Sequence, residues 1–405
     1  MKSYSDVKNS QSRILSNLLS PQQIQEQLFE RCRDAALAFG TELLCQEVEQ
    51  LCGSKFAHKT EDQCHRGGSE KTRIVVGGQK QSIVRPRVRN ANGEVELHTL
   101  SQLQDQDIFD DTIKEKMILG VSTRKYEPVM ESWSEKLSIS KSNVSRAFVR
   151  ASKKDLELIT RGDLSAHRFV AILLDGLIVS GRAVIAAIGI TDQCQKIPIG
   201  LCEGMSENAE VVKDLLVNIR ERGFTFHCEK ILAVTDGSKA LQKALVEVFG
   251  SRVIVQRCYL HKLRNLKQYV PDRLHGQLAW KMKRLMSLKT HVEAKKELIT
   301  FVDWLSEISM EAERSMQEVG EELITVHLLG LTGDLRKSLS STNIIESLIG
   351  AVREKTNRVK NWKKSKNKDQ AQRWIASAML AHQKKMRRLR GYKAINTLVE
   401  SLNKN

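Results

Sequence analysis

The sequence of 405 residues lacks the features of an exported protein. Its first twenty residues are polar and contain no apolar core of signal-peptide length, which predicts that the chain is not exported. Its eight cysteines show no paired spacing, which indicates reduced thiols in a cytosol-like compartment. Cys52, His58, Cys64 and His65 are close in sequence, but their spacing matches no standard zinc motif, so zinc binding by these four residues stays open.

A long uninterrupted hydrophobic run is also missing. The most apolar stretch, residues 168–191, contains Asp175 and Arg182, each of which costs about 2.5–3.5 kcal/mol in the middle of a membrane helix. The stretch is rich in Val and Ile and is interrupted by Ser180-Gly181, so it predicts two strands of a hairpin and no membrane association. Asp175 is then a carboxylate inside an apolar strand, where its charge is costly unless a partner neutralises it.

Acidic residues are scarce near the C-terminus. The formal net charge is +17 and the isoelectric point is about 9.5, which indicates a polyanionic partner. Residues 351–393 contain 15 Lys or Arg residues and only two acidic ones. A solvated helix surface explains many charge runs, but this concentration of one sign favours phosphate contact. We therefore expect Arg353, Arg358 and Lys360 to bind DNA.

Composition and periodicity divide the chain into seven segments. We predict an N-terminal helical region, a small basic β-rich segment, a helix-turn-helix region, the first part of a catalytic core, a helical insertion, a core helix that bears a glutamate, and a basic tail. Their predicted bounds are 1–65, 66–105, 106–165, 166–261, 262–335, 336–362 and 363–405, respectively.

The β-rich segment contains three alternating arginines, Arg85, Arg87 and Arg89, which a strand would place on one face. The turn Asn92-Gly93 predicts the end of a strand. Pro86 suits a solvated edge strand, and a phosphate-binding strand is the alternative. We include the three arginines among the candidate DNA ligands.

A pair of helices is predicted between residues 120 and 160, with a break at 137–139. Ser140 is a favourable N-cap for the second helix. This spacing is typical of a helix-turn-helix, although helix pairs that only pack together share it. The candidate DNA ligands at the start of the second helix are Lys141, Asn143, Ser145 and Arg146.

From residue 168 the predicted elements follow the order βββαβαβ. This order, with helices only after the third strand, indicates an RNase H-like mixed α/β sheet, because doubly wound folds alternate from the start. The first and fourth predicted strands are neighbours in such a sheet. The charged helical stretch 262–335 then predicts an all-α insertion.

Three carboxylates are candidates for one metal centre in this fold. Asp175 lies in the first strand, Asp236 ends the fourth, and Glu346 lies near the start of the helix after the insertion. Clustered carboxylates suit Mg²⁺, and a pair of ions (Mn²⁺ as a substitute) supports phosphoryl transfer. Each carboxylate also has a structural interpretation. Asp236 fits a turn or an N-cap, and the spacing from Asn343 to Glu346 fits a capping box.

The motifs "LLDG", "TDGSKAL", "QRCYLHKLRNL" and "STNIIESL", in this order, resemble the Mutator-type transposases of bacterial insertion sequences. The segments "GQKQSIVRPRVR", "GVSTRKYEPV" and "TNRVKNW" extend the resemblance over residues 70–365. The resemblance implies a DDE triad of Asp175, Asp236 and Glu346 in an RNase H-like domain. It also implies a helical insertion between the second and third carboxylates.

The resemblance singles out Cys258 and His261 as well. Two further zinc ligands are not evident nearby, so we expect His261 to contact phosphate or support the carboxylates and Cys258 to pack as a small apolar residue. Lys262 and Arg264 are expected to neutralise phosphates of the cleaved strand.

The predicted function is that of a DNA transposase, which binds the terminal repeats of its mobile element and joins a 3′-hydroxyl to target DNA. We expect double-stranded DNA as partner, a homo-oligomer on paired ends and a cytoplasmic, nucleoid-associated location. Two alternatives are a non-catalytic DNA-binding regulator derived from a transposase and an RNase H-like structure-selective nuclease.

Overall fold

A computed structural model describes most of the chain. The described residues are 21–55, 64–76, 79–105, 107–120, 141–179, 181–205, 208–359, 362 and 369–404. They divide into two compact units, Met1–Ala151 and Ser152–Asn405.

The first unit packs helices against a three-stranded antiparallel sheet. Its elements are α1 (Pro21–Cys52), β1 (His65–Val76), β2 (Gln79–Asn90), β3 (Gly93–Val95), α2 (His98–Gln104) and α3 (Asp107–Ile118). Leu44 and Val48 of α1 pack with Ile74 and Val88 of the sheet in one buried cluster. The turn predicted at Asn92-Gly93 is confirmed, because it joins β2 to β3.

Helix α4 (Lys141–Arg161) is the second helix of the predicted pair. Its buried residues include Val144, Ala147 and Ala151, a helical spacing that gives it one apolar face. The first helix of the pair and the expected cap Ser140 lie outside the described residues.

The second unit is built on a mixed sheet. Its strands are β4 (Arg168–Val179), β5 (Arg182–Thr191), β6 (Lys196–Glu203), β8 (Ile231–Thr235) and β9 (Val253–Arg257), while the short β7 (Thr225–Phe226) pairs with the start of β4. The order across the sheet is β6-β5-β4-β8-β9. β4, β5 and β6 are antiparallel neighbours, whereas β4, β8 and β9 run parallel. The predicted hairpin in the apolar stretch is therefore confirmed, as is the adjacency of the first and fourth predicted strands.

Helices cover both faces of this sheet. On one face lie α5 (Ala209–Glu221) and α6 (Lys239–Phe249), whose leucines and valines pack against Ile172 and Leu174. On the other face lie α12 (Gly333–Leu339), α13 (Asn343–Thr356), α14 (Gln370–Gln383) and α15 (Ile395–Lys404). The tract predicted as a basic tail thus folds from Gln370 onward into helices that pack on the sheet, because residues such as Ile375 and Met379 are apolar and buried.

The helical stretch after β9 has a hydrophobic cluster of its own. It contains α7 (Tyr259–Leu266), α8 (His275–Ser287), α9 (His291–Ser306), α10 (Met310–Val319) and the short α11 (Thr325–Leu328). Phe301, Leu305 and Met316 are among its fully buried side chains. Every helix in the described part of the chain is too short or too polar to span a membrane.

Candidate active site

Asp175 and Asp236 meet at the end of the β4–β8 pair. The last paired residues are Leu173 and Val234. Asp175 follows two residues after Leu173, and Asp236 two residues after Val234. β8 ends at Thr235, whereas β4 continues to Val179, so the sheet opens beside Asp175 on this side. The strand register therefore brings together the two aspartates that the sequence separates by sixty residues.

Asp175 is buried on the face of the sheet that α13 covers. Side chains alternate along a strand, so Asp175 shares a face with Leu173 and Leu177, which pack with Ile345 of α13. Its exposed fraction is 7%, and Oδ1 accepts a hydrogen bond of 2.8 Å from the Gly176 amide. Burial and the charge of Asp236 raise the pKa of Asp175 to about 6. The apolar strand thus holds a carboxylate whose charge is poorly compensated.

Asp236 and the start of α6 form the neighbouring edge. Oδ1 of Asp236 accepts a hydrogen bond of 2.9 Å from the Ser238 amide, as in a turn that begins a helix. The turn interpretation of Asp236 is thus correct as far as it goes. Within the described residues, the other carboxylate oxygen of Asp236 makes no hydrogen bond or ion pair.

Glu346 reaches the same region from α13. The helix is preceded by Thr342, and no side-chain bond caps its first turn, so Asn343 is the first helical residue and not the cap. The capping-box interpretation of Asn343 and Glu346 is therefore wrong. The Glu346 carboxylate instead lies 3.2 Å from Nη1 of Arg264 and 3.5 Å from Nε2 of His261. Its charge also contributes to the raised pKa of Asp175.

A chain of polar contacts joins Cys258, His261 and Thr342 behind Glu346. The Thr342 amide donates to Sγ of Cys258 over 3.3 Å, and its hydroxyl lies 3.4 Å from that sulfur and 3.2 Å from Nδ1 of His261. Burial tends to raise the pKa of the Cys258 thiol, but the hydrogen bonds of His261 and Thr342 outweigh it and lower the pKa. The hydrogen bond with Cys258 and the charges of Asp175 and Glu346 raise the pKa of His261. Cys258 is thus buried as expected, but it also accepts hydrogen bonds.

Lys262 and Arg257 lie behind Asp236, and sequence reasoning missed Arg257. Arg257 pairs with Thr235 in the sheet, is buried, and its Nε lies 3.0 Å from a carboxylate oxygen of Glu322. Lys262 is buried as well, and Nζ donates to Oγ of Ser315 over 2.8 Å. Burial lowers the pKa of Lys262 to about 8. The sequence does contain a signal for Arg257. It is a charged residue at the end of an apolar strand, which is the pattern that pointed to Asp236.

Arg264 is the most exposed of the predicted phosphate contacts. Its side chain is 57% exposed while it pairs with Glu346. An open cleft of about 400 Å³ is lined by Asp236, Lys239, His261 and Asn265 among others. The structure therefore brings all three predicted catalytic carboxylates, together with His261 and Arg264, to one region beside a cleft.

The three arginines of β2 differ in their surroundings. Arg85 lies between Glu70 and Glu94, at 2.6 and 2.8 Å, and Arg87 also pairs with Glu94. Arg89 is exposed and has no carboxylate partner among the described residues. The aliphatic part of its side chain passes over Gly67, where a Cβ would come within 3.1 Å. Two of these three guanidinium groups are therefore already neutralised within the protein.

The other predicted DNA ligands in the described part of the chain lie on α4 and on or just after α13. Ser145 and Arg146 are exposed on α4, which also contains Lys141 and Asn143. Arg353 and Arg358 are exposed at the end of α13, where Arg358 pairs with Glu354 at 3.1 Å. Lys360 lies outside the described residues, and so does His58 of the predicted zinc group.

No group of three or more His, Cys, Asp or Glu side chains in the described part of the chain is arranged to hold a metal ion. The charges of Asp236 and Glu346 both act on Asp175. The Glu346 carboxylate, however, contacts Arg264 and His261.

Comparison with known proteins relates this chain to transposases. The chain is 25% identical to the transposase for insertion sequence element ISRM5 of Rhizobium meliloti over 325 residues, 78% of this chain and 79% of the relative. It is 26% identical to the transposase for IS1201 of Lactobacillus helveticus over 303 residues, 72% of this chain and 78% of the relative. The model of the family described as "Transposase, Mutator family" matches residues 9–384. The chain therefore belongs to the Mutator family of transposases.

Proposed function

We propose that the protein is a metal-dependent DNA transposase of the DDE type, which cleaves DNA at the ends of its mobile element and joins the 3′-hydroxyl to target DNA. One observation supports this most directly. The β4–β8 register places Asp175 beside Asp236, and α13 presents Glu346 to the same region. A purely structural role does not account for Asp175, because both burial and the charge of Asp236 disfavour its ionised form.

The arrangement of strands supports an RNase H-like catalytic core. Numbered along the chain from β4 and without the short β7, the strands lie in the order third, second, first, fourth, fifth. The second strand is antiparallel to both of its neighbours, and the last two are parallel to the first. The helices between β9 and α13 form the insertion that separates Asp236 from Glu346 in sequence.

The three carboxylates suit Mg²⁺. Carboxylate oxygens are the ligands that this ion prefers, and two of the candidates sit where their charges repel each other. Glu346 contacts Arg264 and His261, and it would exchange these contacts for a metal ion in order to act as a ligand. Asp175, Asp236 and Glu346 would hold two such ions, which would supply activation of the attacking oxygen and stabilisation of the leaving oxygen in phosphoryl transfer. Mn²⁺ is the expected substitute.

The residues of the chain supply the remaining requirements. Asp175 is held inside β4 and Asp236 directly follows β8, so the sheet fixes the positions of both carboxylates. Exposed Arg264 neutralises phosphate charge, and His261 holds the Glu346 carboxylate or donates to a phosphate oxygen. Because Lys262 donates to Ser315 inside the protein, its contribution is to the local potential rather than to direct contact.

Double-stranded DNA is the proposed partner, at the element ends and at the target. Helix α4, with Ser145 and Arg146 exposed, is the proposed recognition helix of a helix-turn-helix. Arg89, Arg353 and Arg358 are proposed phosphate contacts, whereas Arg85 and Arg87 contact DNA only by exchanging their carboxylate partners. A homo-oligomer on paired ends and a nucleoid-associated location belong to the same proposal.

The experiment compares two labelled duplexes in the presence of Mg²⁺ or Mn²⁺. One duplex has the DNA ends that flank the gene, and the other has the same composition in scrambled order. The proposal predicts cleavage and joining of the first duplex only. Equal cutting of both duplexes would indicate a structure-selective nuclease, and binding without cleavage would indicate a regulator.

A further inference from the structure

A second, more enclosed cavity lies behind Asp236, between α7 and α10. Its volume is about 310 Å³, and it shares Asp236 and Asn265 with the open cleft described above. Arg257 and Lys262 form its buried floor, and Ser315 and Glu318 of α10 form one wall. The cavity thus opens directly beside one of the proposed catalytic carboxylates.

The opposite wall consists of three polar or aromatic side chains at the end of α7. Asn265, Gln268 and Tyr269 line the cavity, and all three are exposed. Neither amide side chain makes a hydrogen bond to another group of the described chain, so both are available to a ligand. The Tyr269 ring is 44% exposed, which leaves a face of the ring accessible.

The charges that line the cavity balance. Arg257 is paired with Glu322 and lies 3.8 Å from Glu318. Glu318 also acts on Lys262, and Asp236 is the second acidic group of the lining. A cavity built for phosphate would have an excess of positive groups and only hydrogen-bond donors. This one offers amide donors, amide acceptors, a hydroxyl and an aromatic ring, which is the mixture that recognises the edge and the face of a nucleobase.

We propose that this cavity receives one nucleobase, unstacked from the DNA next to the reacting phosphate. Tyr269 provides a surface for stacking, and the Asn265 and Gln268 amides hydrogen-bond to the edge of the base. This inference rests on the proposed function, because a DNA phosphate that reacts beside Asp236 would bring the attached nucleoside to the cavity mouth. Its consequence is that the helical insertion selects the base at the cleavage point.

The test uses the full chain and its own element ends, with 2-aminopurine placed in turn at each position beside the cleavage point. Binding is expected to increase the fluorescence at one position, because unstacking relieves quenching. Tyr269→Ala should abolish this increase and slow single-turnover cleavage about tenfold. Tyr392→Ala is the matched control, since Tyr392 is 45% exposed and does not line the cavity.

A substrate that lacks the base at that position gives the sharper result. The difference in cleavage rate between the unchanged chain and Tyr269→Ala should disappear on this abasic duplex. If the loss persists there, or if no position shows increased fluorescence, the cavity does not bind a base. A loss that persists and shrinks as the salt concentration rises identifies a phosphate contact instead and equally overturns the inference. Failure of the unchanged chain to cleave any duplex would contradict the proposed function itself. Cleavage by the unchanged chain therefore separates a failure of this inference from a failure of the proposed function.

Discussion

Ionisation of Asp175 lowers the free energy of unfolding, whereas ionisation of most aspartates raises it. Its folded-state pKa of about 6 lies above the ordinary value of 3.8, so the folded chain retains a proton that the unfolded chain has already lost between these pH values. The free energy of unfolding therefore decreases as pH rises through the window from about 4 to 6. At neutral pH the ionised side chain costs on the order of 3 kcal/mol in the absence of a cation.

Asp175→Asn should accordingly raise the free energy of unfolding at pH 7 by as much as about 3 kcal/mol in a buffer with a chelator. It should also remove the contribution of this side chain to the dependence on pH between about 4 and 6. Mg²⁺ should stabilise the unchanged chain and leave the Asn variant unaffected, because a ligand that binds only the folded state stabilises it. Urea unfolding at several pH values measures both effects. Asp214→Asn, an exposed carboxylate on α5, is the control. Equal stabilisation of both variants by Mg²⁺ would contradict binding at Asp175.

Glu346 is predicted to matter for catalysis and little for stability. It makes no capping bond, and its ion pair is with Arg264, which is mostly exposed, so Glu346→Gln should change the free energy of unfolding by less than about 1 kcal/mol. Cleavage should nevertheless be lost. Thermal unfolding measures the change in stability, and single-turnover cleavage by the same preparation measures the loss of activity. A destabilised variant with full cleavage would restore a structural role for Glu346.

At the scale of elements, the position of α13 depends on the contacts between Thr342 and the start of α7. Thr342 precedes α13, and its amide and hydroxyl reach Cys258, which itself follows β9. The Cys258 amide in turn donates to the carbonyl of Thr235 over 2.8 Å, next to Asp236. These contacts link the end of β8, the start of α7 and the helix that bears Glu346.

Thr342→Val should therefore lower the free energy of unfolding by about 1 kcal/mol and slow cleavage about tenfold while DNA affinity stays the same. Thr342→Ser should restore most of the rate, because it keeps the hydroxyl. Thr332→Val is the control, since Thr332 precedes α12, is exposed and makes no side-chain capping bond. An equal loss of rate in the Thr332 variant would remove the special role of Thr342.

Sequence periodicity predicted the strands and helices of the second unit because each has one apolar face or a continuous apolar run. It also predicted that Asp175 and Asp236 would be neighbours, since strand order follows from element order. It did not predict the partners of Glu346 or the role of Thr342. A local spacing such as Asn343 to Glu346 fits a capping box whether or not the helix begins there, and the starting residue is set by tertiary contacts with Cys258. The fold of residues 370–404 was missed because the excess of basic residues obscured a buried apolar face on α14.

At the scale of the whole molecule, the net charge of +17 predicts salt-dependent DNA binding. Not every cation contributes equally to it. Arg85 is held between two carboxylates and Arg373 is buried and pairs with Asp369, whereas Arg89 and Arg353 are exposed.

Arg89→Ala and Arg353→Ala should each reduce the slope of log affinity against log salt concentration by about 0.9, because each removes one phosphate contact. Arg85→Ala should reduce the slope much less and instead lower the free energy of unfolding by about 1–2 kcal/mol. Binding to a duplex of arbitrary sequence at several salt concentrations gives the slopes. If Arg85→Ala changed the slope as much as Arg89→Ala, the β2 arginines would all face DNA.

The central claim is that Asp175, Asp236 and Glu346 act together in metal-dependent cleavage of the element ends. The most direct test is single-turnover cleavage of the end duplex in Mg²⁺ by Asp175→Asn, Asp236→Asn and Glu346→Gln, with Asp214→Asn as the control. The structure predicts that each of the three loses at least about a hundredfold in rate while still binding the duplex, and that the control cleaves normally. Cleavage at an undiminished rate by any one of the three would contradict the claim.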